Sequence, residues 1–348
     1  MSSIPTIDLG TGDLGTGDLG TGDLGTGDLA VADAIGSACR DVGFFQVVNH
    51  GVDPAVIDHA WTTAREFFDL PLDQRMAAAR RSPDDAYGYI PLETETLTRS
   101  MTSDAASSVV PADLKATFNA GPFDHPGRPP VDAGEQWAFA PTPWPPQLPH
   151  LRDALHPYFL AMLDLAGRLM GQFAIALRLP VNFFDASIDQ SPSALRIIDY
   201  PHLDRAARAQ AGDVQLRAGA HTDYGTLTLL IQDDAPGGLQ VLDPRTDTWT
   251  PVSAQPGAIV VNLGDMMARW TNDRWRSTLH RVVVPPLGST EPTRRQSIAF
   301  FHNANYHAVV QCLPGCLAPG EQPRYPPVVA GPHLMAKFHR AVRASQIS

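Results

Sequence analysis

The stretch "RAGAHTDYGTLTLLIQ", Arg217 to Gln232, decides the reading of this chain. It sets a His-x-Asp pair, His221 and Asp223, at the mouth of an apolar, β-branched run. On a strand, residues i and i+2 point to the same face, so the two side chains converge. They are either two legs of a metal site or ordinary polarity at a strand end. A third ligand from a distant strand separates the two readings. "STLHRVVVPP" offers one, His280, at the start of another β-branched run. Two imidazoles and a carboxylate on one face, with the remaining positions open, suit an iron(II) that activates dioxygen. With 12 histidines in the chain, these three residues do not carry the case alone.

A further motif does. "RRQSIAFFHNANY" places Arg295 and Ser297 at i and i+2 of a predicted strand. A planar guanidinium beside a hydroxyl forms a carboxylate clamp. The same alternation puts Ala299, Phe301 and Asn303 on that face. Tyr200, at the end of "RIIDYP", is placed to add a phenol. Further candidates for the substrate pocket are Tyr87, Tyr89, Phe118 and Arg196, with Phe301 and Asn303; each could equally be packing. His202 is a lesser candidate, and His50 in "VVNHGV" reads as structural.

The bulk properties agree with a globular protein. The chain has 348 residues, enough for one large domain or two modest ones, and 43% are apolar. Acidic residues outnumber basic ones, 37 to 26, for a net charge of −11. That argues against nucleic acid and anionic lipid as partners. Three cysteines, Cys39, Cys312 and Cys316, read as reduced thiols and a cytoplasmic location. Cys312 and Cys316 could be two zinc ligands, but no second Cys/His pair has the spacing to complete a site. The start, "MSSIPTIDLG", lacks the basic and apolar regions of a signal peptide. We expect no apolar run long enough to span a membrane.

"DLGTG" begins at Asp8, Asp13, Asp18 and Asp23, and Asp28-Leu29 closes the series. Calcium-binding β-helix repeats use a nine-residue unit, so that match is poor. A pentapeptide β-helix would need more units than this to bury its face. A flexible surface loop over 8–29 is the simplest reading. It interrupts a strand, "IPTIDL", and a helix, "LAVADAIGSACRDVGF". Beyond the strand "FFQVVNHGV", Asp53 and Pro54 mark the cap and first residue of a second helix. Residues 82–146 read as loops and short elements walling a pocket. Apolar residues from Leu151 to Leu177 recur every three or four positions, predicting a long helix over 149–178 with Pro157 placed to kink it. From 194 onward about seven short strands follow without intervening helices, with "VLDPRTDTWTPV" as a hairpin. The predicted fold is mainly β with flanking helices, built on a jelly roll. The tail "GPHLMAKFHRAVRA" is helical. We expect an N-terminal region, 1–148, and a catalytic core, 149–348, forming one unit.

These motifs together resemble one family. "IPTIDL", "GFFQVVNHGV", "YGYIPL", "DLKATFNAGP", "LRIIDYP", "AHTDYGTLTLL", "GGLQVLD", "VVNLGDMMARWTNDRWRSTLHRV" and "RRQSIAFFHN" occur in the order found in iron(II)/2-oxoglutarate-dependent dioxygenases of the isopenicillin N synthase-like type. The resemblance covers nearly the whole chain. It implies a double-stranded β-helix (cupin-like) core with Fe(II) on His221, Asp223 and His280. It implies 2-oxoglutarate as co-substrate, its distal carboxylate on Arg295, Ser297 and Tyr200. Dioxygen and a small-molecule substrate complete the reaction, which yields succinate, CO2 and a hydroxylated, desaturated or cyclised product. It further suggests secondary metabolism and a monomer or weak homodimer. The chain departs from the family pattern in the repeat, in a longer loop "PPLGSTEPT", and in Ile198-Asp199-Tyr200-Pro201 where many members have Asn-Tyr-Tyr-Pro. A same-fold oxidase that uses no 2-oxo acid, and a non-catalytic binding module, remain alternatives.

Overall fold

In a computed structural model of the chain, residues 4–10, 26–98, 111–124, 126–212, 214–290 and 292–346 are described. The run 11–25, which holds most of the "DLGTG" repeat, lies outside the described residues. The first elements are β1 (Thr6–Asp8), α1 (Thr26–Asp41), β2 (Phe44–Val48), α2 (Pro54–Asp69) and α3 (Leu72–Met76). Then come β3 (Gly88–Ile90), β4 (Ala116–Ala120), α4 (Ala133–Ala138), α5 (His150–Ala176) and α6 (Asp185–Ile188). The second half holds β5 (Ala194–Tyr200), α7 (Arg205–Ala211), β6 (Ala218–His221), β7 (Leu227–Gln232), β8 (Gly238–Asp243) and β9 (Thr248–Pro251). It continues with β10 (Ile259–Leu263), α8 (Asp265–Trp270), β11 (His280–Val283) and β12 (Arg295–His302). The chain closes with β13 (Val309–Val310), β14 (Val328–Val329) and α9 (Ala330–Gln346).

Two sheets build the jelly roll. The larger runs β1-β2-β10-β7-β12-β5-β4-β3 and the smaller β6-β11-β8-β9. β1 pairs with β2 in parallel, and every other contact within these two sheets is antiparallel. The sheets are not joined into a closed barrel. The hairpin predicted over "VLDPRTDTWTPV" forms as β8 and β9.

Local chemistry sets several boundaries. The Asp53 carboxylate accepts the Ala55 N–H at 2.8 Å, capping α2 with Pro54 in its first turn. Gly43 ends α1 at φ +74°, and its N–H returns to the Ala38 carbonyl. A Cβ on Gly43 would sit 2.2 Å from the Arg276 carbonyl oxygen, so the helix end seats directly on the loop before β11.

α5 supplies the core. Its Leu151, Leu155, Tyr158, Met162, Leu165, Leu169 and Phe173 are fully buried, and the helix continues through Pro157. α5 is also long and apolar enough to cross a membrane, contrary to the expectation from sequence. Its apolar surface has another use: it packs against α1 and α2 on one side and β7 and β12 on the other. Phe173 meets Trp275 edge-on at 5.3 Å between ring centres. Phe173→Ala should lower unfolding stability by about 3–5 kcal/mol, measured by denaturant titration.

The short elements within 82–146 include β3 and β4, which extend the large sheet past β5. Both strands are buried at every position, so they lack the alternation that marks a half-exposed strand. The expectation of a β region free of helices needed correction, since α7 and α8 interrupt it.

Candidate metal centre and active site

The two sheets place three ligating side chains together. His221 is the last residue of β6, and it pairs directly with His280, the first of β11. Asp223 follows in the turn that carries the chain from the small sheet to β7 of the large one. One donor atom from each residue lies within 4.8 Å of the others. Asp223 Oδ1 is 3.9 Å from His221 Nε2 and 3.8 Å from His280 Nε2. Among the described residues, no other His/Cys/Asp/Glu group meets these terms. The three cysteines are free thiols.

The surroundings fix which atoms face the centre. His221 Nδ1 donates to the Gly219 carbonyl at 2.7 Å, and His280 Nδ1 to the Thr278 carbonyl at 3.1 Å. Each imidazole therefore turns its Nε2 lone pair inward. Asp223 Oδ2 accepts from Thr228 Oγ1 at 2.6 Å and from Asn262 Nδ2 at 2.7 Å, leaving Oδ1 free to ligate. Burial alone would raise the Asp223 carboxyl, but the two imidazoles and these hydrogen bonds hold it below its ordinary value. Burial and then His280 push His221 down to about 3, so the ring is neutral and its lone pair available. A neutral imidazole pair with a carboxylate fits iron(II). The turn is packed tightly: a Cβ on Gly225 would lie 2.4 Å from the His302 carbonyl oxygen. Thr228 and Asn262 were not singled out from sequence. Asn262 stands in "VVNLGD", and its only cue was an amide on an otherwise apolar strand. Asn262→Ala should weaken iron binding about 10- to 100-fold, read by anaerobic titration, because Asp223 loses its orienting donor.

A narrow chamber leads from these ligands to Tyr200, Arg295 and Ser297. β12 supplies two of the three, with Arg295 opposite Tyr200 of β5. The Arg295 guanidinium is buried, held by Gln232 Oε1 at 2.5 Å from Nη2 and stacked 5.0 Å from the Tyr200 ring centre. Among the described residues its Nη1 has no partner. A buried, unpaired guanidinium nitrogen is costly unless a ligand anion completes it. That chamber therefore fits a carboxylate whose other end reaches the metal ligands. Arg294 points elsewhere, to Asp199 at 2.8 Å and Asp69 at 2.5 Å. This accounts for Asp199 in the departing Ile198-Asp199-Tyr200 motif. Ile198, not an amide, faces the chamber.

A larger cavity of about 330 Å³ opens on the other side of His221 and Asp223. Of the substrate candidates, Tyr87, Arg196, Phe301 and Asn303 line it. Tyr89 and Phe118 do not: both are core residues packed on Phe67, with ring centres 5.6 and 4.8 Å away. They face one another across β3 and β4, on the side turned to α2. Neither His50 nor His202 lines either space. The sequence did not point to Arg80, Glu95 or the α9 residues Leu334, Phe338 and Val342, which also line the cavity. α9 is held over it by the Lys337–Asp265 ion pair and by Phe338 against Trp137, ring centres 5.1 Å apart.

Comparison with known proteins agrees with this geometry. Residues 4–147 match the model described as non-haem dioxygenase in morphine synthesis N-terminal, and residues 192–304 match the 2OG-Fe(II) oxygenase superfamily. The chain is 33% identical over 303 residues to the 2-oxoglutarate-Fe(II) type oxidoreductase hxnY of Emericella nidulans, covering 84% of this chain and 80% of that one. It is 32% identical over 273 residues to the validamycin A dioxygenase of Streptomyces hygroscopicus, covering 78% and 71%. The crystal structure of a full-length Neurospora crassa protein in complex with alpha-KG and thymine superposes with a TM-score of 0.79 at 30% identity, covering 97% and 96%. Of the three readings open from sequence, these relatives carry the one that uses 2-oxoglutarate. The chain belongs to the 2OG-Fe(II) oxygenase superfamily and is a 2-oxoglutarate-dependent non-haem iron(II) dioxygenase.

Proposed function

We propose that His221, Asp223 and His280 hold the catalytic iron, and that Arg295, Ser297 and Tyr200 hold the distal carboxylate of 2-oxoglutarate. The observation that carries this assignment is the unpartnered, buried Arg295 Nη1, at the end of a chamber that starts at the three ligands. With dioxygen, the bound iron and co-substrate supply the oxidation of an unactivated C–H bond, with release of succinate and CO2. The chain's own residues do the placing. Thr228 and Asn262 present Asp223 Oδ1 to the metal. Gly219 and Thr278 set the histidine tautomers. Tyr87, Arg196, Phe301 and Asn303 bound the substrate space, and α9 covers it.

We read the substrate as a small metabolite, because the cavity of about 330 Å³ suits one and α9 lies over it. Thymine and validamycin A, named for two of the relatives, are molecules of that general class. A place in secondary metabolism is consistent with the validamycin A relative. We further propose one folding unit, since β1, β2, β3 and β4 share a sheet with β5, β7, β10 and β12. A cytoplasmic monomer or weak homodimer, with no nucleic-acid or membrane partner, completes the reading; its support is the three free thiols and the acidic net charge.

The test is anaerobic reconstitution with iron(II) and 2-oxoglutarate, followed by a succinate assay under air over a panel of metabolites. Succinate should form slowly without substrate and faster with the right one. No succinate under any condition, together with unaltered iron binding in His221→Ala, would overturn the assignment.

A further inference from the structure

The larger cavity carries a cluster of charged side chains for which the iron site has no use. Arg80, Glu95 and Arg196 line it. Arg196 gives its Nε–H to Asn119 Oδ1 at 2.8 Å, and its Nη2 lies 3.7 Å from Glu95 Oε1. Behind Glu95, the buried Lys115 ammonium sits 3.5 Å from Glu95 Oε2 and 2.6 Å from Asp113 Oδ2. Asp113 is committed further, its Oδ1 accepting the Gly219 N–H at 3.0 Å. Burial alone would raise Glu95, yet Arg196, Lys115 and Arg80 together hold it at about 2, so it is ionised.

Arg80 is the member without a direct ion pair. Its Nη1 donates to the Pro83 carbonyl at 3.1 Å, and among the described residues it pairs with no carboxylate. Glu95, then Asp85 and Asp84, act on it only through space, and Asp85 also accepts the Arg81 and Ser82 N–H groups. Among the described residues Arg80 therefore lines the cavity with no carboxylate in direct contact. A guanidinium lining a partly desolvated cavity is stabilised by an anion that reaches it. The opposite wall is apolar: Leu334, Phe338 and Val342 of α9, with Phe301 nearer the metal ligands. The Phe301 ring also lies 6.0 Å beneath the Arg196 guanidinium.

We propose that the prime substrate is an amphiphilic monoanion, a small carboxylic acid whose carboxylate docks on Arg80 and Arg196. Its apolar body lies along α9 and presents a C–H bond to the face of His221 and Asp223. A cavity-lining guanidinium with no carboxylate in contact suits an anion, and its planar fork suits a carboxylate. Glu95 has a second role in this arrangement. By competing for Arg196 it holds the guanidinium in place before the substrate arrives. The proposal rests on the iron and 2-oxoglutarate assignment above.

The test is calorimetry on the full chain, loaded anaerobically with iron(II) and saturating 2-oxoglutarate so that the Arg295 chamber is filled. The titrants are 3-phenylpropionate and octanoate, each against its primary amide. At least one acid should bind ten-fold or more tightly than its amide. Arg80→Gln should erase that preference and Arg80→Lys should keep part of it. Glu95→Gln should tighten acid binding several-fold, a change of sign that a merely structural role would not produce. Thermal midpoints of the variants verify that they are folded. Amides that bind as well as the acids, or acids that fail to bind while 2-oxoglutarate does, overturn the proposal. Failure of 2-oxoglutarate itself to bind in the loading step overturns the underlying assignment, and the proposal with it.

Discussion

His280→Ala should abolish tight iron binding and lower succinate formation on the order of a thousand-fold, equivalent to about 4 kcal/mol of lost transition-state stabilisation. The argument is geometric. Asp223 Oδ1 lies about equally far from His221 Nε2 and His280 Nε2, so removing one imidazole leaves an incomplete triangle. The backbone at 280 is held independently, paired to His221 on one side and Val241 on the other. An alanine keeps that pairing and leaves a hole the size of the ring against Phe44, which meets His280 edge-on at 5.3 Å. Free imidazole can enter such a hole. Millimolar imidazole should therefore restore part of the iron binding to His280→Ala and none to His280→Leu, whose side chain fills the space. Anaerobic iron titration and the succinate assay read both effects. Iron stoichiometry unchanged in His280→Ala would remove this residue from the site.

Arg295→Gln should raise the KM for 2-oxoglutarate about 100-fold or more while leaving iron affinity within a few-fold of the parent. Truncating one side of a buried, hydrogen-bonded charge pair costs about 2–5 kcal/mol, which is roughly 30-fold upward in affinity. The split between the two ligands is the informative part. Arg295 contacts no iron ligand; it is fixed by Gln232, the Tyr200 ring and, at 3.8 Å, Asp233. Among the described residues its Nη1 has no partner, and Arg295 lines the chamber. Arg295→Lys keeps the charge and loses the planar fork, so its KM should fall between parent and Gln. Equal losses of iron and 2-oxoglutarate affinity would instead mark Arg295 as structural support for the whole centre.

Much of this site could be read from the chain because strands write their geometry in steps of two. Arg295, Ser297, Ala299 and Phe301 all line the narrow chamber, whereas Ile298 and Phe300 enter the core on the other side. The alternation on β12 determined that result before any fold was known. The choice of Arg295 over Arg294 follows from the same period, and Arg294 does turn the other way, to Asp69 and Asp199. The cap at Asp53 and the buried face of α5 were legible for a similar reason: each depends on residues within a turn or two of each other.

What period and spacing could not assign were the side chains on strands buried on both faces. On β3 and β4 the two sides look equally apolar, and only the position of α2 makes Phe118 core while its neighbour Asn119 faces the cavity. Tyr89 was misread on the same ground. Arg80, Glu95, Lys115 and the α9 residues come from four separate parts of the chain. No local pattern ties them together, because their meeting depends on long-range packing. The sequence by itself singled out His221, Asp223 and His280, the Arg295/Ser297 pair and the jelly roll, since each is written in short-range periodicity and motif order. The tertiary structure alone decided which residues wall the larger cavity and that Arg80 and Arg196 meet there, since a cavity exists only where distant segments fail to fill the space between them.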